Sequence, residues 1–259
     1  MPTTLFSRTP VMPSDTSTEP SPLFGARVAG ALWLIVILVS IVAVIGGISL
    51  DLHGDPGTMA ANALASASKI RLAFVLFFFG KICYLGVTVL LYELLKPVNK
   101  SVALFGACCG LAGLLSGGAG HINLLTALSL LEESRRATEP VTSQLQGAAK
   151  ILLGTVPRFS GEDVYFGFQI ASVGYLIARS YFVPRAIGVL LVLGGSGFLI
   201  TSFTNFVSPV LGGRLAPLLL PIVLLGEGSL ALWLLLRGVN VEQWRSTVAR
   251  RAVIYPAAR

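Results

Sequence analysis

Six long apolar runs occupy most of this 259-residue chain, and two of them, Val28 to Leu50 and Ala186 to Val207, carry no ionisable side chain over 23 and 22 residues. A helix needs roughly 20 such residues to cross the hydrocarbon core of a bilayer. The chain therefore reads as all-α and integral to a membrane. Composition agrees. Hydrophobic residues make up 54% and charged residues 12%, the latter about half the share of a soluble domain. So little polar surface cannot coat a water-facing globule, and a soluble enzyme is excluded.

The runs predict a six-helix bundle. After Val28 to Leu50 come Leu72 to Leu91, which contains Lys81, and Val102 to Leu131, where His121 is the side chain able to carry charge. Val164 to Ala178, Ala186 to Val207 and Leu215 to Leu236 follow, the last interrupted by Pro217, Pro221 and Glu227. As a helix the third run is about 45 Å long against a core of roughly 30 Å, so it must tilt, protrude or break. Gly117, Gly118 and Gly120 mark the place. The fourth run, 15 residues, needs its flanks to cross, and Ser160 followed by Asp163 forms a capping box at its start.

Residues 1–26, rich in Pro, Ser and Thr, read as a disordered cytoplasmic tail. The first apolar run exceeds a signal-peptide core, which favours an uncleaved span over a removed leader. Residues 27–238 then form the membrane domain and 239–259 a basic C-terminal segment. In that segment Val241, Trp244 and Val248 recur at helical spacing, with Arg245, Arg250 and Arg251 on other faces. This pattern predicts an interfacial helix on anionic lipid, with a frayed basic tail as the alternative.

Cytoplasmic loops collect Lys and Arg. With the N-terminus inside, the cytoplasmic segments hold Arg8, Arg27, Lys96, Lys100, Arg179, Arg185, Arg237, Arg245, Arg250, Arg251 and Arg259, eleven cations. The other side holds seven: Lys69, Arg71, Arg135, Arg136, Lys150, Arg158 and Arg214. The expected topology is N-in/C-in, with Trp33 and Trp233 in an aromatic belt at the inner interface. Topology also explains the net charge of +7, so the partners are membrane lipids and not nucleic acid, together with a second copy or another membrane protein.

An ionisable side chain near the bilayer centre costs about 3 kcal/mol or more on insertion scales, so Lys81 and Glu227 need an explanation. Counted from Arg71 and Arg214 they lie about 15 and 20 Å deep. An interhelical Lys81–Glu227 pair is the economical arrangement, serving either a proton- or cation-linked site or merely the choice of neighbouring helices. Tyr84, His121, Gln169, Thr201 and Asn205 supply further polar groups. They either line an outward-facing cavity or make interhelical hydrogen bonds, which in membranes average about 0.6 kcal/mol. His121 lies about 31 Å along the helix from Lys100, near the outer headgroups. Only His53 joins it, and Cys83, Cys108 and Cys109 lack ligand spacing, so no metal or other cofactor is expected. No catalytic motif appears, and no catalytic residue is assigned. Gly106, Gly110, Gly113 and Gly117 form successive small-xxx-small repeats, with Gly194, Gly195 and Gly197 on the fifth span as the natural partner. Cys108 and Cys109 point about 100° apart on a helix, which favours packing over redox pairing.

Three stretches, LYELLKPVNKSVALFGACCGLAG (91–113), GYLIARSYFVPRAIGVLL (174–191) and GEGSLALWLLLRGVNVEQW (226–244), resemble the bacterial family catalogued as domain of unknown function 4386. The resemblance spans about residues 25 to 245, carried at Lys96 to Lys100, Arg179-Ser180, Pro184-Arg185 and Gly226-Glu227. It implies a multi-pass protein of the bacterial cytoplasmic membrane and no particular activity. Pro97 and Pro184 explain the turns they occupy as topology devices; Glu227 is not explained that way.

The leading expectation is a structural or regulatory bundle that binds a lipid or small apolar molecule. The alternative is a small secondary transporter or channel using Lys81 and Glu227, and the third is an intramembrane enzyme. A polar cavity reaching both charges favours transport, whereas a dry interior favours the first.

Overall fold

The structure, a computed structural model, describes residues 21–45, 56–155 and 161–254. Among them lie nine helices and no strand: α1 (Pro22–Ile45), α2 (Pro56–Ala65), α3 (Ala67–Leu95), α4 (Lys100–Ser134), α5 (Val141–Thr155), α6 (Glu162–Arg179), α7 (Arg185–Val207), α8 (Pro209–Leu236) and α9 (Val241–Ile254). Five of them, α1, α3, α4, α7 and α8, are long and apolar enough to cross a membrane. Their outward faces carry Ile82, Leu115, Leu225 and Val207, which are mostly exposed, as suits contact with acyl chains and not with water. The chain is a multi-pass membrane protein. α6 lies outside that group of five, for it has 18 residues with Glu162 and Asp163 in its first turn and Arg179 in its last. Those charges suit the helix dipole at each end.

The long helices and α6 close into a ring in the order α1, α3, α4, α6, α7, α8 and back to α1. Every adjacent pair runs antiparallel. Along α1 and α3, Gly25 faces Leu90 and Gly80 faces Val39; along α4 and α6, Gly106 faces Ser172 and Gly113 faces Phe166. Along α6 and α7, Gly174 faces Gly188; along α7 and α8, Gly194 faces Val223; Gly30 of α1 meets Ala231 and Leu235 of α8. Hydrocarbon gives apolar side chains no reason to leave it, so helices associate through close approach of small residues. The α4 glycines were expected to meet α7. They pack on α6 instead, which lies between those helices and presents Gly167 and Gly174 to α7 on its far side.

α4 runs unbroken through Gly117 and Gly118 for 35 residues. The predicted excess length is resolved by sheathing: Leu124, Leu128 and Leu131 near its C-terminal end pack with Met59 and Ala63 of α2 and Leu153 of α5. In α5, Leu153 is buried against that helix end while Ile151 is exposed. Pro217 and Pro221 lie inside α8 without ending it. Ser160, the expected capping residue, lies outside the described residues, and Gly161 precedes α6 without a side-chain cap.

The N-terminal end of α1, the turns between α3 and α4 and between α6 and α7, and all of α9 gather at one end of the ring, here termed the basic end. α9 is helical and docked there: Trp244 Nε1 donates to Leu94 O at 3.0 Å, Arg251 donates to Lys96 O, and Asn240 N donates to Phe182 O at 3.2 Å. Leu94 and Lys96 carbonyls belong to the end of α3, where helix carbonyls lack internal partners. The half of the ring nearest this end is solid, filled by Ala29, Trp33, Val87, Leu91, Leu176, Leu191 and Leu234 among others. Trp33 is 1% exposed, so it belongs to this core and not to the expected aromatic belt. Its indole has a buried polar partner, described below.

After α8, Gly238 adopts φ +68, and the amides of Arg237 and Gly238 both reach Trp233 O, at 2.9 and 3.0 Å. Gly238→Ala should lower the midpoint of detergent-phase thermal unfolding, corresponding to a loss of about 1 kcal/mol or more, because a Cβ is strained at that φ and would also strike Leu23. An unchanged midpoint would remove this turn from the determinants of the α8–α9 junction.

Candidate functional site

The other half of the ring is hollow. A cavity of about 220 Å³ is lined from all six helices of the ring: Ser40 and Val39 from α1, Phe77, Lys81 and Tyr84 from α3, Leu114 from α4, Glu162, Asp163 and Phe166 from α6, Phe198 from α7 and Glu227 from α8. Beside it lies a second space of about 380 Å³ between α7 and α8, which shares Asp163 and Phe198 and is lined by Thr201 and Pro217.

Its central feature is an ion pair. Lys81 Nζ donates to Glu162 Oε1, and the two side chains are only 14% and 12% exposed. The ammonium also sits over the rings of Phe77 at 4.4 Å and Phe166 at 5.4 Å, whose π faces attract it. Gly117 makes room for the pair, for a Cβ there would overlap the Glu162 carboxylate. Gly113 likewise leaves space for Phe166 and Gly110 for the Gln169 amide, with an added Cβ at 2.7 and 2.5 Å from them. The small-residue stripe of α4 is therefore a row of seats for α6 side chains.

Glu227 occupies the opposite wall, where its Oε2 accepts from Trp33 Nε1 at 3.1 Å. The expected Lys81–Glu227 pair does not form. Both residues reach the same cavity, as their depth predicted, but α8 is flanked by α1 and α7 in the ring while α3 is flanked by α1 and α4. The start of α6 brings Glu162 to the level of Lys81, and Glu162 takes the lysine. The short fourth run held the missed signal: an 18-residue helix cannot carry its acidic flank far outside the bundle. Trp33, read as a belt residue, is the other omission.

The floor of the cavity is a closed hydrogen-bond loop. Tyr84 OH donates to Gln169 Oε1 at 2.9 Å, Gln169 Nε2 donates to Thr88 Oγ1 at 3.1 Å, and Thr88 Oγ1 donates to Tyr84 O at 3.0 Å. Tyr84, Thr88 and Gln169 are all buried, and the solid half of the ring begins beneath them. His121 stands at the edge: its ring stacks on Phe77, and its Nδ1 donates to Gly117 O at 2.8 Å, since a carbonyl can only accept. Asn205 is elsewhere, packed against Gly212 where α7 turns into α8, and His53 lies outside the described residues. Of the seven sequence candidates, the structure thus brings together Lys81, Glu227, Tyr84 and Gln169, sets His121 beside them, leaves Thr201 on the neighbouring space and separates Asn205. Cys83, Cys108 and Cys109 are free thiols, and among the described residues no group of three or more His, Cys, Asp or Glu is placed to hold a metal ion.

A family model described as domain of unknown function (DUF4386) matches residues 28–238, which takes in α3, α4, α6, α7 and α8 whole and α1 from its second turn onward. No curated protein matches the chain. No solved structure matches it either.

Proposed function

Because the chain belongs to the DUF4386 family, whose description assigns no reaction, we propose a function from the cavity itself: a small secondary transporter that binds a small organic cation, with proton movement linked to its carboxylates. The observation that carries this reading is that Lys81 and Glu227 open onto one cavity inside the bundle. The lining bears one ammonium against three carboxylates, Glu162, Asp163 and Glu227, together with the aromatic faces of Phe77, Tyr84, Phe166 and Phe198. Excess negative charge and π faces favour a cation. A space of about 220 Å³ is below the size of drug-like pockets, so the solute is small. A cavity in one half and a solid core in the other is the form that alternating access requires of a carrier at rest.

In this reading α6 is the sixth span, about 27 Å long over its 18 residues. Both ends of the described chain then lie on the cytoplasmic face of a bacterial inner membrane. Lys96 over Tyr92, Arg179 over Tyr175 and Arg185 over Tyr181, at 5.9, 5.3 and 5.0 Å, support the basic end as an aromatic and cationic belt at that face.

The test uses purified protein in liposomes under an imposed pH gradient, with uptake of a panel of small amines. Glu227→Gln should cut proton-linked uptake by about tenfold or more, the worth of one charge-assisted interaction, while Trp33 can still donate to the amide oxygen and stability stays within about 1 kcal/mol. A second reading, a structural or regulatory bundle, is favoured by one observation: Lys81, Glu227, Tyr84 and Gln169 all have protein partners. Absence of uptake by the native protein, with Glu227→Gln losing stability alone, decides for that reading.

A further inference from the structure

We propose that a second site, at the basic end, holds a phosphate group, and that its occupant is the headgroup of an anionic lipid. A pocket of about 490 Å³ opens where the α3–α4 turn, the end of α6 and α9 converge, with Asn99, Lys100, Arg179, Tyr181, Arg250 and Arg251 on its walls. It is separate from the cavity, since Lys100 lies about 26 Å along α4 from Gly117. None of its lining residues is acidic.

Four cations around one acid-free space repel one another, and the fold brings them together from three distant parts of the chain. Arg251 has a reason to be there, for it caps the Lys96 carbonyl. Arg179 rests over Tyr175 at 5.3 Å, but neither it nor Lys100 nor Arg250 has a carboxylate in the lining to offset its charge, and an anion between them would stabilise their convergence. Guanidinium forks match phosphate oxygens in pairs, and Lys supplies a point charge beside them. The beginning of α4 adds to the same field. Asn99 Oδ1 accepts from Val102 N at 3.1 Å and Asn99 O from Ala103 N at 3.0 Å, so the amides of Lys100 and Ser101 stand outside the helix's own ladder. Tyr181, 61% exposed, places the pocket at the level where aromatic side chains meet headgroups. The volume exceeds that of a phosphate alone and admits the glycerol attached to it. The Lys96-to-Lys100 turn and Arg179, which topology alone was enough to explain in the sequence, thereby acquire a ligand.

The experiment is native mass spectrometry and thermal unfolding of the full chain in neutral detergent, titrated with phosphatidylglycerol, with diacylglycerol lacking the phosphate, and with soluble glycerol phosphate. Phosphatidylglycerol should bind saturably and raise the unfolding midpoint, and diacylglycerol should do neither. The double variant Lys100→Gln/Arg250→Gln should bind about tenfold more weakly or worse, as the loss of two charge-assisted contacts entails. Arg135→Gln/Arg136→Gln removes the same charge from exposed positions beyond the other end of α4 and should bind as the native protein does. Displacement of the lipid by glycerol phosphate supports the pocket and makes a free phosphate ester a competing source. Failure to displace supports the lipid as the occupant. Equal binding by the two double variants, or binding of diacylglycerol as tight as that of phosphatidylglycerol, overturns the proposal.

Discussion

Glu162→Gln is expected to lower the unfolding free energy of the detergent-solubilised protein by about 3 kcal/mol, because it removes the carboxylate hydrogen-bonded to the largely buried Lys81 ammonium and leaves only the more distant carboxylates of the cavity to offset its charge. An amide can accept one hydrogen bond from Lys81 but cannot offset its charge. Its partial exposure, 14%, and the Phe77 and Phe166 faces keep the loss from being larger. Removing both partners has a different outcome. Lys81→Met/Glu162→Leu should restore stability to within about 1 kcal/mol of native or exceed it, since apolar replacements of a buried pair are commonly neutral or stabilising. On the proposed transport function, proton-linked uptake should be lost in the double variant. Recovery of stability without uptake separates the pair's chemical role from its structural one. A single Glu162→Gln variant as stable as native would show that Lys81 is neutral or solvated there, and the pair would no longer anchor α3 to α6.

The second large effect is expected at the seam between α6 and α7. A Cβ built on Gly174 lies 2.7 Å from Gly188 O and from Val192 N, and one on Gly188 lies 2.6 Å from Ala178 N. These are backbone atoms on two continuous helices, so no side-chain rotation relieves them. Gly174→Val should force the helices apart, forfeiting the close packing that holds a bundle together in lipid. A loss of at least about 3 kcal/mol, the upper part of the range for overpacked cores, is expected, with the variant aggregating on extraction. Gly228→Val is the control, having nothing within 4 Å of the added Cβ on α8. It should migrate as native on size exclusion and keep its thermal midpoint. If Gly174→Val behaved like Gly228→Val, the α6–α7 packing described above would be wrong.

These two sites mark where the sequence was legible and where it was not. Apolar length predicted six spans, and five of them are helices long and apolar enough to cross a membrane; the distance of Lys81 and Glu227 from flanking arginines placed both at the depth of one cavity. Depth follows from the fixed rise of a helix. Which helices stand side by side does not, because lipid-facing and protein-facing apolar residues look alike in sequence. Ring order was therefore lost, and with it the partners: Lys81 was matched to Glu227 instead of Glu162, and the α4 glycines to α7 instead of α6. The same blindness placed Trp33 at an interface, since a tryptophan's indole finds hydrogen bonds equally in headgroups or at a buried carboxylate. His121 was expected near headgroups on length alone, and its stacking on Phe77 is a contact between helices that no single-helix count contains.

The Tyr84–Gln169–Thr88 loop has an electrical consequence. Below it the interior offers Val87, Leu91, Leu191 and Leu234, apolar and close-packed side chains that give a bare ion nothing in exchange for its hydration. The core there is a dielectric plug, and planar bilayers containing the protein should carry no standing current under applied voltage.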